Sequence, residues 1–145
     1  MIFDIVTYPN EILRASCSTV TEFNKELKKF CKDMIKTMKA NNGLGLAAPQ
    51  VGRDIRVIAF QDQKTLVDSV MINPVIKNVS KITSLLQEGC LSIPDTLVYV
   101  VRHEEITVEF TTIKGKRQQK KFTGMNARIL QHEIDHLNGK LIIDY

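Results

Sequence analysis

The sequence predicts an α+β fold in which antiparallel β-sheets pack around a C-terminal helix, with a second, long helix near the N-terminus. Three observations predict it. Apolar residues recur at helical spacing in two separated segments, about 25–40 and 125–138. Between them lie short β-branched or alternating runs bounded by Asn, Gly and Pro. Helices and strands do not alternate as the strand–helix–strand units that a parallel sheet requires. At 145 residues the chain suits a single domain. Such a chain buries about two-thirds of its unfolded surface and needs no disulfide framework.

The elements follow in order. Tyr8-Pro9-Asn10 reads as a turn, and Asn10 can cap a short helix over Glu11 to Arg14. Leu27, Phe30, Cys31, Met34, Ile35 and Met38 mark one face of a helix from Lys25 to Ala40, with lysines between them. Asn24 is its N-cap, and Asn41-Asn42-Gly43 stops it. Asp54 to Phe60 reads as a strand. Ser69 to Ile72 reads as another, stopped by Asn73-Pro74. Glu105 to Thr111 alternates cleanly, with Ile106, Val108 and Phe110 on one side, and Leu97 to Val101 is a plausible partner strand. Lys114 to Lys121, the densest basic run, reads as a solvated hairpin turn. The last helix spans Met125 to Asn138, with Thr123 capping its start and Gly139 at the left-handed position beyond its end.

Composition narrows the function classes. Hydrophobic residues make up 43% and charged residues 25%, ordinary for a globular protein. No apolar run approaches 18 residues, which argues against a membrane span. The N-terminus shows neither a basic flank nor a small-residue cleavage site, so a cytoplasmic protein is expected. Cys17, Cys31 and Cys90 are an odd set, consistent with reduced thiols. Cys31 falls on the core stripe, and Cys17 reads as structural. The net charge of +4 fits weak association with a ribosome, but the dispersed Lys and Arg give no DNA-binding pattern.

The most informative stretch is His132-Glu133-Ile134-Asp135-His136. On a helix, residues four apart share a face, so both imidazoles can reach one metal ion. Glu133 stands beside the first ligand, where it can act as general base on a water at that ion. A catalytic site of this kind takes three protein ligands. Downstream of His136 the sole acidic residue is Asp144, with no His or Cys. The better third ligand lies upstream, as Cys90 in Glu88-Gly89-Cys90-Leu91-Ser92, since a thiolate is a strong ligand for a borderline-soft ion. Gly43-Leu44-Gly45-Leu46-Ala47-Ala48-Pro49-Gln50 forms a tight path with an accessible backbone. A zinc endopeptidase, a structural metal module without turnover and a basic ribosome-binding protein are the competing readings. Glu133 argues against the structural module, which needs no general base.

With these three segments in this order, the chain resembles the peptide deformylase family. It matches G-x-G-L-A-A-x-Q, E-G-C-L-S and Q-H-E-x-D-H-L-x-G in full, and the likeness runs from Tyr8-Pro9 to the C-terminus. The full E-G-C-L-S match argues against the endopeptidase. The family often has Asp-Pro where this chain has Asn10-Glu11, and some members carry a C-terminal helical extension that docks on the ribosome. Here the sequence given ends at Leu141-Ile142-Ile143-Asp144-Tyr145, which argues against that mode of docking but not against the chemistry, and transient ribosome contact is the expectation.

The resemblance implies a hydrolase that removes the formyl group from N-formylmethionyl nascent peptides. It implies one divalent metal held by Cys90, His132 and His136. Fe(2+) is the usual ion, and Zn(2+), Ni(2+) or Co(2+) fit the same donors. Catalysis falls to Glu133 as base, to the Gln50 side-chain amide and the Leu91 N–H as oxyanion donors, and to Gly45 in the backbone path. Substrate binding falls to Gly43, Leu44, Glu88, Gly89, Met125 and Ile129, with Leu44, Met125, Ile129 and Glu88 lining the methionine pocket. Gly43 to Gly45 could pair with the peptide as an added strand. Asp135 is expected to pair with Arg102 and clamp the helix to the sheet. His103 is expected to be exposed and not a ligand.

Overall fold

The computed structural model describes residues 1–145. A 3-10 turn at Glu11–Arg14 precedes helix α1, Lys25–Ala40. Strands β1 (Gly45–Ala47), β2 (Val57–Gln61), β3 (Asp68–Val79), β4 (Thr83–Cys90), β5 (Ile93–His103), β6 (Glu105–Thr111) and β7 (Arg117–Thr123) follow. Helix α2, Gly124–Leu137, comes next, and a 3-10 turn at Ile142–Asp144 ends the chain. The predicted α+β architecture is the one observed.

The caps explain the helix limits. The Asn24 side chain accepts from the Leu27 N–H at 3.0 Å and the Asn10 side chain from Ile12 at 3.1 Å, so both expected Asn caps form. Thr123 occupies the N-cap of α2 but makes no side-chain capping bond. Gly139 sits just past α2 with φ 73°, and an added Cβ there would lie 2.5 Å from the Arg14 carbonyl oxygen. Glycine is therefore required on two counts.

Two sheets are present. One has five strands in the order β1-β2-β3-β6-β7, and the other is the β4–β5 hairpin. All strand pairs are antiparallel. The five-stranded sheet lies between the two helices, and its alternation sorts the core. Ala47, Ile58, Phe60 and Met71 face α2 with Ala127, Leu130 and Ile134. Leu46, Val57, Ala59 and Ile72 face α1 with Phe30, Cys31, Met34 and Met38. Cys17 and Cys31 are both buried in these cores, where burial pushes each thiol up to about 11.

Several strand expectations are corrected. The strand at Ser69–Ile72 does not stop at Asn73-Pro74 but runs on to Val79. The ladder with β6 shifts register between Ile72 and Val75, so Pro74 falls where no ladder N–H is needed. Asn73 takes φ 53°, and its side chain clips the Val20 backbone through both N–H and C=O. Leu97–Val101 is not the partner of β6; it belongs to β5, which pairs with β4. The basic run is only partly a turn, because Arg117–Thr123 forms edge strand β7. The strand placed at Asp54 begins at Val57, preceded by an isolated parallel bridge from Ile55 to Ser18.

Candidate active site

Helix α2 carries His132 and His136 on one face, with ring centroids 5.1 Å apart. The last residue of β4, Cys90, meets them from the hairpin. Its Sγ lies 3.4 Å from His136 Nε2, and donor atoms of Cys90, His132 and His136 all lie within 4.8 Å of one another. His136 is buried, as is Glu133 beside them. Two buried polar atoms here have no hydrogen-bond partner, Glu133 Oε1 and His136 Nδ1.

This donor set fits a divalent ion on its electrostatics as well as its spacing. Burial pulls the His132 proton off, but Glu133, Cys90 and Glu88 outweigh it and raise the ring to about 10. Burial and the His132 charge drive His136 well below its ordinary value. One imidazole is raised and its neighbour lowered at the same three donors, and a cation bound there competes with protons for them.

The surroundings orient the His132 ring. Its Nδ1 lies 2.9 Å from Glu88 Oε1, which leaves Nε2 for the cluster. Glu88 also accepts from Arg102 Nε at 3.0 Å and Nη2 at 2.9 Å, and from Arg128 Nη1 at 2.6 Å. Desolvation of the Glu88 carboxyl works against its charge. The His132 and Arg102 contacts more than offset it and hold the group well below the usual carboxylate range. Arg102 extends the network through Nη1 to Asp135 at 2.6 Å and to the Tyr145 hydroxyl at 2.9 Å. The expected Arg102–Asp135 pair is therefore present, and it ties α2 to the hairpin.

A cavity of about 740 Å³ opens over the cluster. Gly43, Leu44, Gly45, Gln50, Glu88, Gly89, Cys90, Leu91, Met125, Ile129, His132 and Glu133 all line it, and His136 lies behind, out of solvent. Gln50 is anchored, its Oε1 accepting from the Ala47 N–H at 2.9 Å. Its Nε2 faces Ser92 Oγ at 3.1 Å and Cys90 Sγ at 3.6 Å. Gly45 passes so close to the Glu133 carboxylate that an added Cβ would meet Oε2 at 2.5 Å.

The polypeptide deformylase family model matches residues 2–145. The chain belongs to that family. Deformylases are metal-dependent hydrolases that take the formyl group from newly made peptides, and this chain is an enzyme of that activity. A peptide deformylase of Pelagibacter ubique is 42% identical over 144 residues, covering 97% of this chain and 84% of the relative. One from Thermodesulfovibrio yellowstonii is 42% identical over 148 residues, covering 99% and 88%. The crystal structure of the Thermotoga maritima deformylase matches with a TM-score of 0.95 at 38% identity, covering 99% of this chain and 97% of that one. An Ehrlichia chaffeensis deformylase in complex with actinonin matches with a TM-score of 0.95 at 37% identity, covering 99% and 88%.

Some placements differ from the sequence-based expectation. Glu88 borders the cavity, but its carboxylate is spent on His132 and two arginines and not on an apolar pocket. His103 is half-buried rather than exposed, its Nδ1 2.8 Å from the Ser80 carbonyl oxygen, and it is not among the three clustered donors Cys90, His132 and His136. Arg128 was given no role by the sequence. It holds Glu88 and also donates to the Val100 and Ser84 carbonyls. The available signal was its place four residues before His132, on the same face of α2.

Proposed function

We propose that this cavity hydrolyses the formamide of an N-formylmethionyl nascent peptide at a cation held by Cys90, His132 and His136. The observation that carries the reading is the convergence of those donors beside a buried carboxylate with an unpartnered oxygen. A divalent cation there supplies Lewis acidity and lowers the pKa of water towards neutrality. Fe(2+) is the ion proposed, with Zn(2+), Ni(2+) and Co(2+) fitting the same donors.

Glu133 takes a proton from the attacking water as its oxygen bonds to the formyl carbon. It then delivers that proton to the departing amide nitrogen as the C–N bond breaks. Formate and a free methionine amine leave. Burial pushes the Glu133 carboxyl up to about 7, a value suited to accepting and returning a proton near neutral pH. The Gln50 amide, fixed through Ala47, and the Leu91 N–H donate to the developing oxyanion. Removing one such donor typically costs about 100- to 1000-fold in rate.

Leu44, Met125, Ile129 and Gly89 form the wall that receives the methionine side chain. Strand β1 is an edge strand of its sheet, so Gly43 to Gly45 can pair with the peptide main chain and leave later side chains unread. Glu88 serves by orienting His132. The setting is the cytoplasm, with transient ribosome contact; no helix is long and apolar enough to cross a membrane.

The test is anaerobic formate release from formyl-Met-Ala-Ser with metal quantified in the same sample. The reading expects turnover with about one ion per chain, since the donors form a single cluster. Metal-loaded protein that releases no formate, or that cleaves an unformylated peptide internally, overturns it.

A further inference from the structure

We infer that α1 and β7 together form a docking surface for the phosphate backbone of duplex RNA. Lys25, Lys28, Lys29, Lys32, Lys36 and Lys39 are all exposed and recur at three- and four-residue intervals. That spacing places them on one stripe, about 21 Å long at 1.5 Å per residue. Lys29 pairs with Asp33 and Lys39 with Asp68; the other four carry no ion pair. Glu26 is the single exposed acid of the helix.

The stripe does not stand alone. Lys32 shares a second cleft, of about 730 Å³, with Lys64, Lys120 and Lys121. The basic run of β7 thus continues the surface of α1, although the two lie far apart in sequence. Of the acids in the cleft, Asp62 accepts from the Lys64 and Thr65 N–H groups and from Asn126, and Asp68 pairs with Lys39 through Oδ2 while its Oδ1 is buried without a partner. Lys121 pairs with Glu105, while Lys32 and Lys120 remain without a carboxylate partner.

Duplex RNA fits this chemistry better than the alternatives. A helix that lies in a membrane surface keeps an apolar face for the lipid, whereas Leu27, Phe30, Met34 and Met38 of α1 are buried in the core. Single-strand binders stack bases on aromatic side chains, and the only aromatic of α1, Phe30, is buried. A row of ammonium groups reads backbone charge without sequence. The choice of RNA rests on the deformylase reading, whose nascent substrates are made on RNA-rich particles. Helix α1 also leads through Asn41 and Asn42 into Gly43 at the cavity wall, so RNA held along it would lie beside the mouth.

The experiment is anisotropy of a labelled 20-base-pair RNA duplex against the full chain at 50 and 200 mM salt. Affinity should fall about 150- to 500-fold between the two, as four or five neutralised phosphates require. Lys28→Glu/Lys32→Glu/Lys36→Glu should bind at least tenfold more weakly at 50 mM and flatten the salt dependence. The same three changed to Arg should bind like the parent. Formate release from formyl-Met-Ala-Ser should be unchanged in both variants, which checks folding and separates this surface from the catalytic reading. Parental affinity and salt slope in the Glu variant overturn the inference. So does a parent that ignores the duplex, or that binds phosphatidylserine vesicles more tightly than RNA.

Discussion

Glu133 combines burial, a neighbouring imidazole and an unpartnered oxygen, and each of those follows from its position on α2. Glu133→Ala should keep the bound metal, by elemental analysis, and lose about 100- to 10,000-fold in formate release. Parental turnover would remove the proposed base. Glu88 offers a sharper test of the supporting network. Glu88→Ala strands two buried arginines and frees the His132 ring, so it should destabilise the fold by about 3–5 kcal/mol. It should also weaken metal affinity about 10- to 100-fold. A melting temperature and metal affinity equal to the parent's would show that the network is ornamental. At this scale the sequence was informative where chemistry sets spacing: His132, Glu133 and His136 announce themselves by helical periodicity, and Cys90 by its motif. The partners of Glu88 were not legible, because Arg102 and Arg128 lie 14 and 40 residues away and nothing local links them.

Among the elements, β1 shows how little chain is needed to set a site. Its first residue, Gly45, leaves room for the base and nothing more. Gly45→Ala should therefore displace Glu133 and cost about 100-fold in turnover, while metal content stays near the parent's. An alanine variant with full activity would show that the carboxylate has room elsewhere. Gly139→Ala forces a Cβ towards the Arg14 carbonyl in a left-handed conformation, and chemical denaturation should show a loss of more than about 1 kcal/mol. Helix α1 was readable from period and caps alone, since both signals are local. The extent of β3 was not, because Asn73-Pro74 carries the local chemistry of a stop. A register shift and a side-chain clip to Val20 override it.

Across the whole molecule, the pairing of strands is what the sequence left open. Leu97–Val101 and Glu105–Thr111 are neighbours in the chain but belong to different sheets, a distinction that alternation along either strand does not carry. One long-range tie can be tested by pH. Asp144 bonds Arg14 across the molecule, and that bond holds its carboxyl below the usual range. A depressed folded-state pKa stabilises above the unfolded value, about 3.9, and the contribution fades as pH falls through the folded one. Asp144→Asn should thus melt below the parent at pH 7, by a small margin because the pair is part-exposed, and the two curves should converge as pH falls through the folded-state value. A gap that persists in acid would assign the effect to something other than charge.

The β4–β5 hairpin stands outside the main sheet, and two strands alone are marginal in water. One end of it contributes the thiol, while both imidazoles come from α2. An ion shared among them is therefore a clasp between two pieces that the backbone ladder never joins. Chelation should loosen that clasp before anything else gives way. Amide exchange would then quicken first along residues 83–103, while α1 and the five-stranded sheet keep their protection.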